Sequence, residues 1–329
     1  MFIVTGGAGF IGSNLVKALE DLEPSSKIVV CDVLGTDEKW QNLVKRHAVW
    51  EVISPDMLFE YIQNHAADIK AIFHLGAISS TVEQDADLIM TTNVHLSLAL
   101  WEWCTTNQVP FIYASSAATY GNGSHGFSDE MDFENLNRLR PLNAYGWSKH
   151  FFDERAYKMS LSGYHPPQWV GLKFFNVYGP NEYHKGGQKS VIATFYPQIQ
   201  ENGEIRLFKS TDPQYKDGGQ LRDFVWVQDC VDIMLWLYKN PGISGIFNIG
   251  TGHARSFNDL ALAVFRSLSL SPQIEYIDMP ESLAKKYQNF TQANLFNLRK
   301  AGYSKDFTSL EDGVANYVQN FLIKEDPYL

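Results

Sequence analysis

The sequence is poor in cysteine and shows no pattern of metal-binding residues. It contains three cysteines in 329 residues, Cys31, Cys104 and Cys230, which are far apart and form no CxxC pair. A few widely spaced cysteines predict reduced thiols in the core and argue against a disulfide framework or a zinc site. The nine histidines contain no pair at the spacing that is common in metal motifs, so we expect no metal.

The chain also lacks an excess of positive charge and a long apolar run, and we expect no leader segment. Its 27 basic and 37 acidic residues give a net charge of −10, which argues against nucleic-acid binding as the main role. No apolar run reaches about 18 residues, so no membrane span is predicted. The N-terminus opens directly into MFIV, without a basic region or cleavage site, and we therefore expect a cytoplasmic location.

Short apolar runs alternate with helical patterns through the first half of the chain, which indicates an α/β protein with buried parallel strands. The predicted strands are Phe2–Thr5, Lys27–Cys31, Ala71–Phe73, Phe111–Ala114 and Trp169–Phe175. The predicted helices are Ser13–Leu22, Asp56–Asn64, Asn93–Thr106 and Ala144–Ser162.

The composition of the sequence changes after the fifth predicted strand. Residues 176–190 and 209–219 are rich in turn-forming residues and are predicted to be loops. Two strands, Leu221–Val227 and Gly245–Ile249, are candidates for a return to the first sheet, with a helix at Val231–Lys239 between them. The tail from residue 256 onward is expected to mix helices and strands.

A glycine-rich turn joins the first predicted strand to the first helix. The segment TGGAGFIGSN contains Gly6, Gly9 and Gly12, which permit a tight turn and a close approach of the backbone to a pyrophosphate. The following helix N-terminus offers free N–H groups to the anion. Asp32 ends the second strand, 20 residues beyond Gly12, where a carboxylate can bond a ribose hydroxyl. Together these features predict a dinucleotide site, although each alone also fits a structural role.

The choice between NAD and NADP stays open at this point. Asp32 by itself favours NAD, because a carboxylate repels the 2′-phosphate of NADP. Lys39 lies just downstream and could neutralise that phosphate, but a solvated helix lysine is an equally good interpretation.

A second group of polar residues follows the predicted strand at 111–114. The segment YASSAATYG brings Ser116 and Thr119 near the carboxyl end of that strand, the edge where ligands of open α/β sheets bind. Tyr145 and Lys149 in YGWSK are four residues apart and share one helix face. Lys149 and a positive nicotinamide ring would lower the pKa of Tyr145, and Ser116 could orient a substrate hydroxyl. The alternative is an aromatic core residue beside a surface lysine.

The ordered set of motifs resembles the extended short-chain dehydrogenase/reductases, the NAD-dependent epimerase/dehydratase family, over most of the chain. The motifs are TGGAGFIG, the strand end at Asp32, FHLGA (73–77), Asn93, SSAATYG, YGWSK, FFNVYGP, RDFVWVQD (222–229) and FNIGTG (247–252). The resemblance implies a Rossmann-type doubly wound parallel sheet that binds the dinucleotide, formed by residues 1–175 and about 224–250. It also implies a smaller mixed α/β C-terminal domain that binds a nucleotide-linked sugar, at about 176–223 and 251–329.

The residues after the active-site hydroxyl group narrow the reaction type. Dehydratases of this family usually carry carboxylates there, whereas Ala117 and Ala118 follow Ser116 in this chain. The acid and base needed to eliminate water are therefore missing at that place. A redox-neutral epimerisation or a plain oxidation fits better.

Three further segments are similar to the ADP-L-glycero-D-manno-heptose 6-epimerases of this family: NVYGPNEYHKG (176–186), LRDFVWV (221–227) and YQNFTQANLFNLRKAGY (287–303). That resemblance implies inversion at C6 of the heptose in ADP-D-glycero-D-manno-heptose, a step toward the inner core of lipopolysaccharide. It implies bound NADP, with NAD tolerated, and a homo-oligomer, a pentamer being the size known for the group. No nucleic acid or membrane partner is expected.

The resemblance also assigns site residues. Tyr145 and Lys185 would act as the two bases, one for each epimer, with Ser116 and Lys149 in support; Lys189 competes with Lys185 for its role, and phosphate binding is the alternative for Lys185. The cofactor-binding residues would be Gly6, Gly9, Phe10, Ile11, Gly12, Asp32, Val33, Lys39, Leu75, Gly76, Ala77, Ile78, Ser79, Asn93, Lys149, Val177 and Lys185. The substrate-binding residues would be Ser116, Asn176, Gly187, Thr194, Phe208, Lys209, Ser210, Arg222 and Tyr287.

The sequence departs from the heptose epimerases in two places. A polar insertion, Asp212–Gln220, precedes Arg222, and Leu221 stands where members have lysine. Few lysines are also placed to neutralise a 2′-phosphate, and Lys39 is the one clear candidate. These departures bear more on NADP than on epimerisation. The alternatives are another nucleotide-sugar epimerase, such as a UDP-hexose 4-epimerase, or a non-catalytic dinucleotide-binding scaffold.

Overall fold

The computed structural model describes residues 1–280 and 288–329. The strands are β1 (Phe2–Thr5), β2 (Ile28–Cys31), β3 (Val49–Ile53), β4 (Ala71–His74), β5 (Phe111–Ser116), β6 (Trp169–Phe174), β7 (Asn176–Tyr178), β8 (Ile205–Phe208), β9 (Leu221–Trp226), β10 (Gly245–Ile249), β11 (Ala254–Ser256) and β12 (Ile274–Ile277). The α-helices are α1 (Phe10–Leu22), α2 (Leu58–Asn64), α3 (Ala86–Ile89), α4 (Leu96–Asn107), α5 (Phe133–Arg138), α6 (Ala144–Leu161), α7 (Val191–Asn202), α8 (Val227–Lys239), α9 (Phe257–Ser267), α10 (Phe296–Lys300) and α11 (Leu310–Tyr317).

Seven strands form a parallel sheet in the order β10-β6-β5-β4-β1-β2-β3. Alternate residues of the central strands face opposite sides, so the sheet carries two cores. Phe2 and Val4 of β1 pack with α1 and α8, whereas Ile3 packs with α2, α4 and α6. Strands that are buried on both faces read as continuous apolar runs, which is why the sequence revealed them. The predicted doubly wound α/β fold is confirmed.

Two smaller sheets lie outside this layer. One has the order β11-β9-β7, and the other pairs β12 with β8. Helices α7, α9 and α11 pack on them around a third core, which contains Phe195, Phe224, Trp226 and Tyr317. These elements supply the second wall of the cavity described below.

Several sequence-based assignments need correction. Asn176–Tyr178 is not loop but strand β7, because it pairs with β9 over residues Phe224–Trp226. Strand β9 consequently belongs to the three-stranded sheet and does not return to the large one, whereas β10 returns to pair with β6. Strand β3 was not predicted, although its sequence VWEVI is rich in β-branched and aromatic residues; it forms the edge of the sheet, and most of its side chains are exposed.

Helix α1 begins at Phe10, three residues before its predicted start, directly after Gly9. The helix predicted from residue 93 begins earlier as well, because α3 and a π-helical turn at Met90–His95 lead into α4. The three cysteines are free and buried, as predicted. Within the described ranges, no helix is both long and apolar enough to cross a membrane.

Candidate active site

A cavity of about 820 Å³ lies at the carboxyl edge of the large sheet, between it and the smaller sheets. Because the carboxyl ends of parallel strands meet at one edge, the loops after β1, β2, β4 and β6 and the last residues of β5 contribute to its wall. The predicted residues on this wall are Gly6, Gly9, Phe10, Ile11, Gly12, Asp32, Lys39, Leu75, Gly76, Ala77, Ser79, Ser116, Tyr145, Lys149, Asn176, Val177, Lys185 and Gly187.

The glycine-rich turn is shaped for close backbone contact. Gly6 has φ +67°, and a Cβ on it would lie 2.6 Å from the backbone nitrogen of Gly76. A Cβ on Gly12 would lie 2.0 Å from the carbonyl oxygen of Gly6, so only glycine lets α1 start this close to the turn. Gly9 gives α1 no side-chain cap, and its first turn has no acidic residue. The first N–H groups of α1 therefore suit a pyrophosphate, and the turn fits a dinucleotide.

The acid at the end of β2 is paired and oriented. Asp32 Oδ2 accepts a hydrogen bond from the Ala8 N–H at 2.9 Å, which ties it to the glycine-rich turn. Lys39 Nζ lies 3.1 Å from Asp32 Oδ1 and donates to the Val33 carbonyl at 2.6 Å. Lys39 is thus not a freely solvated lysine but neutralises the carboxylate on the cavity wall. Val33 itself does not line the wall among the described residues.

Asn93 supports a loop that lines the cavity but does not itself line it. Its side chain is buried in the π-helical turn, accepts from the Ile78 N–H at 2.8 Å and donates to the Ile78 carbonyl at 3.0 Å. It also donates to Ser148 Oγ on α6 at 3.1 Å. Asn93 therefore holds the loop after β4 against α6, although neither it nor Ile78 is on the described part of the wall.

Tyr145 and Lys149 face the cavity from the first turns of α6. The Asn143 side chain caps this helix by accepting from the Gly146 N–H at 2.8 Å. A Cβ on Gly146 would lie 2.7 Å from the Ala118 carbonyl oxygen, so glycine allows α6 to pack against the turn after β5. That packing brings Tyr145 to Ser116, whose side chain hydrogen-bonds with it.

Burial is the largest influence on the pKa of both members of this pair. Burial raises the pKa of Tyr145 above its ordinary value, while the hydrogen bond with Ser116 opposes that rise. Lys149 is 4% exposed, and burial lowers its pKa to about 8, with Asp153 opposing. The expected lowering of the Tyr145 pKa is therefore not produced by the chain's own residues, because loss of water around the phenol is the larger effect.

Lys185 lies in a 3₁₀ turn, Tyr183–Gln188, on the other side of the cavity. Burial lowers its pKa, Glu182 opposes that effect, and its Nζ is 5.4 Å from the centroid of the Phe10 ring. The turn is anchored by Asn42, which donates to the carbonyls of Ala8 and Asn181 at 2.8 and 3.0 Å. The lysine is thereby connected to the glycine-rich turn.

The remaining predicted substrate residues are not gathered at this wall. Thr194 bonds the Val191 carbonyl within α7, and Lys209 is exposed and lies 3.0 Å from Asp278. Phe208 and Ser210 flank Lys209 and are likewise absent from the described wall. Arg222 is buried, donates to the Leu221 carbonyl and stacks over Phe257, while Tyr287 lies outside the described residues. Their roles stay predictions.

Other cavity residues were missed by the sequence reasoning. Phe224 and Phe257 line the wall and meet edge to face at 5.6 Å between ring centroids. Phe224 lies inside a motif that was noted for other residues, whereas Phe257 had no local signal. His184 also lines the wall, and burial, with Lys39 nearby, lowers its pKa to about 4.

Comparisons with known proteins agree with this architecture. A family model described as the NAD dependent epimerase/dehydratase family matches residues 2–250. Proteins named ADP-L-glycero-D-manno-heptose-6-epimerase from Nitratidesulfovibrio vulgaris (strain DP4) and Fusobacterium nucleatum are 52% and 48% identical to this chain, each over 100% of both sequences. The crystal structure of the Helicobacter pylori protein of that name superposes with a TM-score of 0.80 at 30% identity, covering 97% of this chain and 95% of that one. The resemblance seen in the motifs is confirmed, and the chain belongs to the NAD dependent epimerase/dehydratase family.

Proposed function

We propose that this protein is an isomerase that inverts C6 of the heptose in ADP-D-glycero-D-manno-heptose, giving ADP-L-glycero-D-manno-heptose for the inner core of lipopolysaccharide. The observation that carries the proposal is that two candidate bases, Tyr145 on α6 and Lys185 on the 3₁₀ turn, line one cavity with the glycine-rich turn. The full-length relatives at about half identity, with their printed names, support the same substrate.

A nicotinamide dinucleotide is the cofactor class that fits the chain. Gly6, Gly12 and the start of α1 would hold its pyrophosphate, and Asp32 its adenosine ribose. The bound cofactor would supply reversible hydride transfer at the sugar carbon, with no net redox change. Within that class we propose NADP, because Lys39 neutralises Asp32 at the place where a 2′-phosphate would approach.

The side chains divide the proton transfers. Tyr145 removes the proton of the C6 hydroxyl in one epimer, and Ser116 hydrogen-bonds the same oxygen as charge develops there. With the cofactor bound, Lys149 as an ammonium ion and the positive nicotinamide ring would together favour the phenolate of Tyr145. The other epimer presents its hydroxyl in a different position, and Lys185 acts there, since burial already lowers its pKa toward the range of a base.

The division into domains and the assembly also belong to this proposal. Residues 1–175 with about 224–250 would bind the cofactor, and about 176–223 with 251–329 the sugar nucleotide. Strand β10 and helix α8 lie with the large sheet, which supports that division, whereas Phe224–Trp226 at its boundary belong to β9 of the three-stranded sheet. The family resemblance favours a homo-oligomer in the cytoplasm.

Proton NMR of the purified protein with ADP-D-glycero-D-manno-heptose in deuterated solvent tests the function. Without added cofactor, we expect inversion at C6 and no solvent deuterium at that carbon, because a retained cofactor returns the same hydride. Absence of inversion, even with NADP and NAD supplied, would refute the heptose substrate and direct the search to UDP-sugars.

A further inference from the structure

An ion pair is buried directly behind the Ser116–Tyr145–Lys149 group. Lys173 on β6 has its Nζ 3.2 Å from Oδ2 of Asp153 on α6, and both side chains are at most 1% exposed. Removing two charges from water is costly, and apolar residues of similar volume are often at least as stabilising. A contribution to the stability of the fold is therefore not enough to explain why this ion pair is present.

The positive end of the pair reaches Ser116 through one hydroxyl. Lys173 Nζ donates to Thr119 Oγ1 at 2.8 Å, and Thr119 Oγ1 donates to the Ser116 carbonyl at 2.8 Å. Thr119 is fully buried. This connection holds the backbone of Ser116 at the end of β5, where its side chain hydrogen-bonds Tyr145.

The negative end of the pair lies along the catalytic face of α6. Asp153 follows Lys149 by four positions and Tyr145 by eight, so the three share a face of the helix. Its two oxygens accept from Tyr113 Oη at 3.0 Å and Ser115 Oγ at 2.7 Å, which fixes the carboxylate. The charge of Asp153 raises the pKa of both Tyr145 and Lys149.

The neighbouring histidines contribute little charge near pH 7. Burial and the nearby charge of Lys149 together lower the pKa of His74 on β4 to about 3. Burial also lowers the pKa of His150 on α6. In the described part of the chain, Asp153 is the charge that shifts the pKa values of Tyr145 and Lys149. Lys173 is its ion-pair partner and also lowers the pKa of the buried Asp129.

We propose that Asp153 and Lys173 are positioning residues of the reaction: Lys173 fixes Ser116 through Thr119, and Asp153 sets the protonation balance of Tyr145 and Lys149. The inference rests on the proposed function, since it takes Ser116, Tyr145 and Lys149 as the reacting groups.

The first test is Asp153→Asn, which keeps the shape of the side chain and removes its charge. We expect both limbs of the pH profile of kcat to move to lower pH, by about one unit, because the charge that opposes phenolate and favours ammonium is gone. NMR of protein labelled with ζ-¹³C-tyrosine gives a readout without turnover. The resonance assigned to Tyr145, by its loss in Tyr145→Phe, should titrate at lower pH in the cofactor-free variant.

Two further variants separate the parts of the proposal. Thr119→Val removes the hydroxyl and leaves the charges of Asp153 and Lys173 in place. We therefore expect kcat to fall about tenfold, without a shift in the two limbs of its pH profile. If Asp153→Asn does not fold, the double variant Asp153→Asn/Lys173→Met, which buries no unpaired charge, carries the same test, with a smaller shift in the same direction.

Gln168→Leu is the control for lost stability alone. Gln168 is buried just before β6, at the end opposite to Lys173, and donates to three carbonyls. The Gln168→Leu protein should have a lower melting temperature, and the two limbs of its pH profile of kcat should not shift. The proposed role of Asp153 would be refuted if the Asp153→Asn protein were also merely less stable, with an unshifted pH profile of kcat and an unshifted titration of the Tyr145 resonance. An unchanged kcat in Thr119→Val would overturn that of Lys173. Failure of the wild-type chain to act on ADP-heptose would instead refute the proposed function, and the resonance would still test Asp153.

Discussion

Lys149 lowers the stability of the cofactor-free protein, and the cost should be measurable. The side chain is almost fully buried, and the pKa falls from its ordinary 10.5 to about 8. The unfolded chain therefore binds more protons than the folded chain between these two pH values. Stability should rise with pH across that window, and at pH 7, below both values, the whole cost is present. The difference corresponds to about 3 kcal/mol, at about 1.4 kcal/mol per pKa unit.

The matching perturbation is Lys149→Met, which replaces the ammonium group by an apolar side chain of similar length. We expect the free energy of unfolding at pH 7 to increase by up to about 3 kcal/mol, and the rise between pH 8 and 10.5 to disappear. Urea denaturation followed by tryptophan fluorescence, at a series of pH values, measures both effects. Catalysis should be lost at the same time, as at other sites where function is kept at the expense of stability.

Lys158→Met is the matched control, because Lys158 lies on the same helix with a side chain that is about half exposed, 3.8 Å from Glu154. It should change the unfolding curves little at any pH. A Lys149→Met protein that is less stable than wild type at pH 7, with a pH dependence parallel to that of wild type, would refute the argument from burial.

Three more substitutions test the site and its frame. Tyr145→Phe should abolish epimerisation, followed by NMR, while circular dichroism stays unchanged; full turnover would contradict the mechanism. Lys185→Met should reduce kcat by about 100-fold or more, and Lys189→Met, on the same wall, by much less; the reverse order would assign the base to Lys189. Asp223→Asn should cost about 3–5 kcal/mol in urea denaturation, because the carboxylate accepts four hydrogen bonds, from Thr251, Gly252 and Ala293, and the amide can accept only two. The exposed Asp278→Asn serves as its control, and equal effects of the two would contradict the burial argument.

The motif residues were accessible to sequence reasoning because each motif is local. Gly6, Asp32 and Ser116 follow three strands that were recognisable as buried apolar runs. Parallel strands end at a common edge, so the predicted parallel arrangement was enough to assign these residues to one edge of the sheet. Tyr145 and Lys149 were paired by helical spacing in the same way.

Elements that depend on distant partners were missed or misassigned. Residues 176–178 begin a stretch that is rich in turn-forming residues, yet they form β7 because β9 supplies hydrogen bonds from residues nearly fifty positions away. Strand β3 carries exposed side chains, including Trp50 and Val52, and exists through pairing with β2. The β3 segment VWEVI carries a strand signal in its β-branched and aromatic residues, and this signal was overlooked. The β7 segment has three residues, too few for a periodic pattern.

Periodicity, turn chemistry and helical spacing specify the doubly wound sheet, the glycine-rich turn and the Tyr145–Lys149 face, since these depend on neighbours along the chain. Tertiary packing alone specifies the second wall, the link from the glycine-rich turn to the turn of Lys185, and the ion pair of Asp153 and Lys173. The burial that results from this packing also shifts the pKa values of the candidate bases. Desolvation depends on how many groups surround a side chain in three dimensions, and the linear order of residues does not contain that quantity.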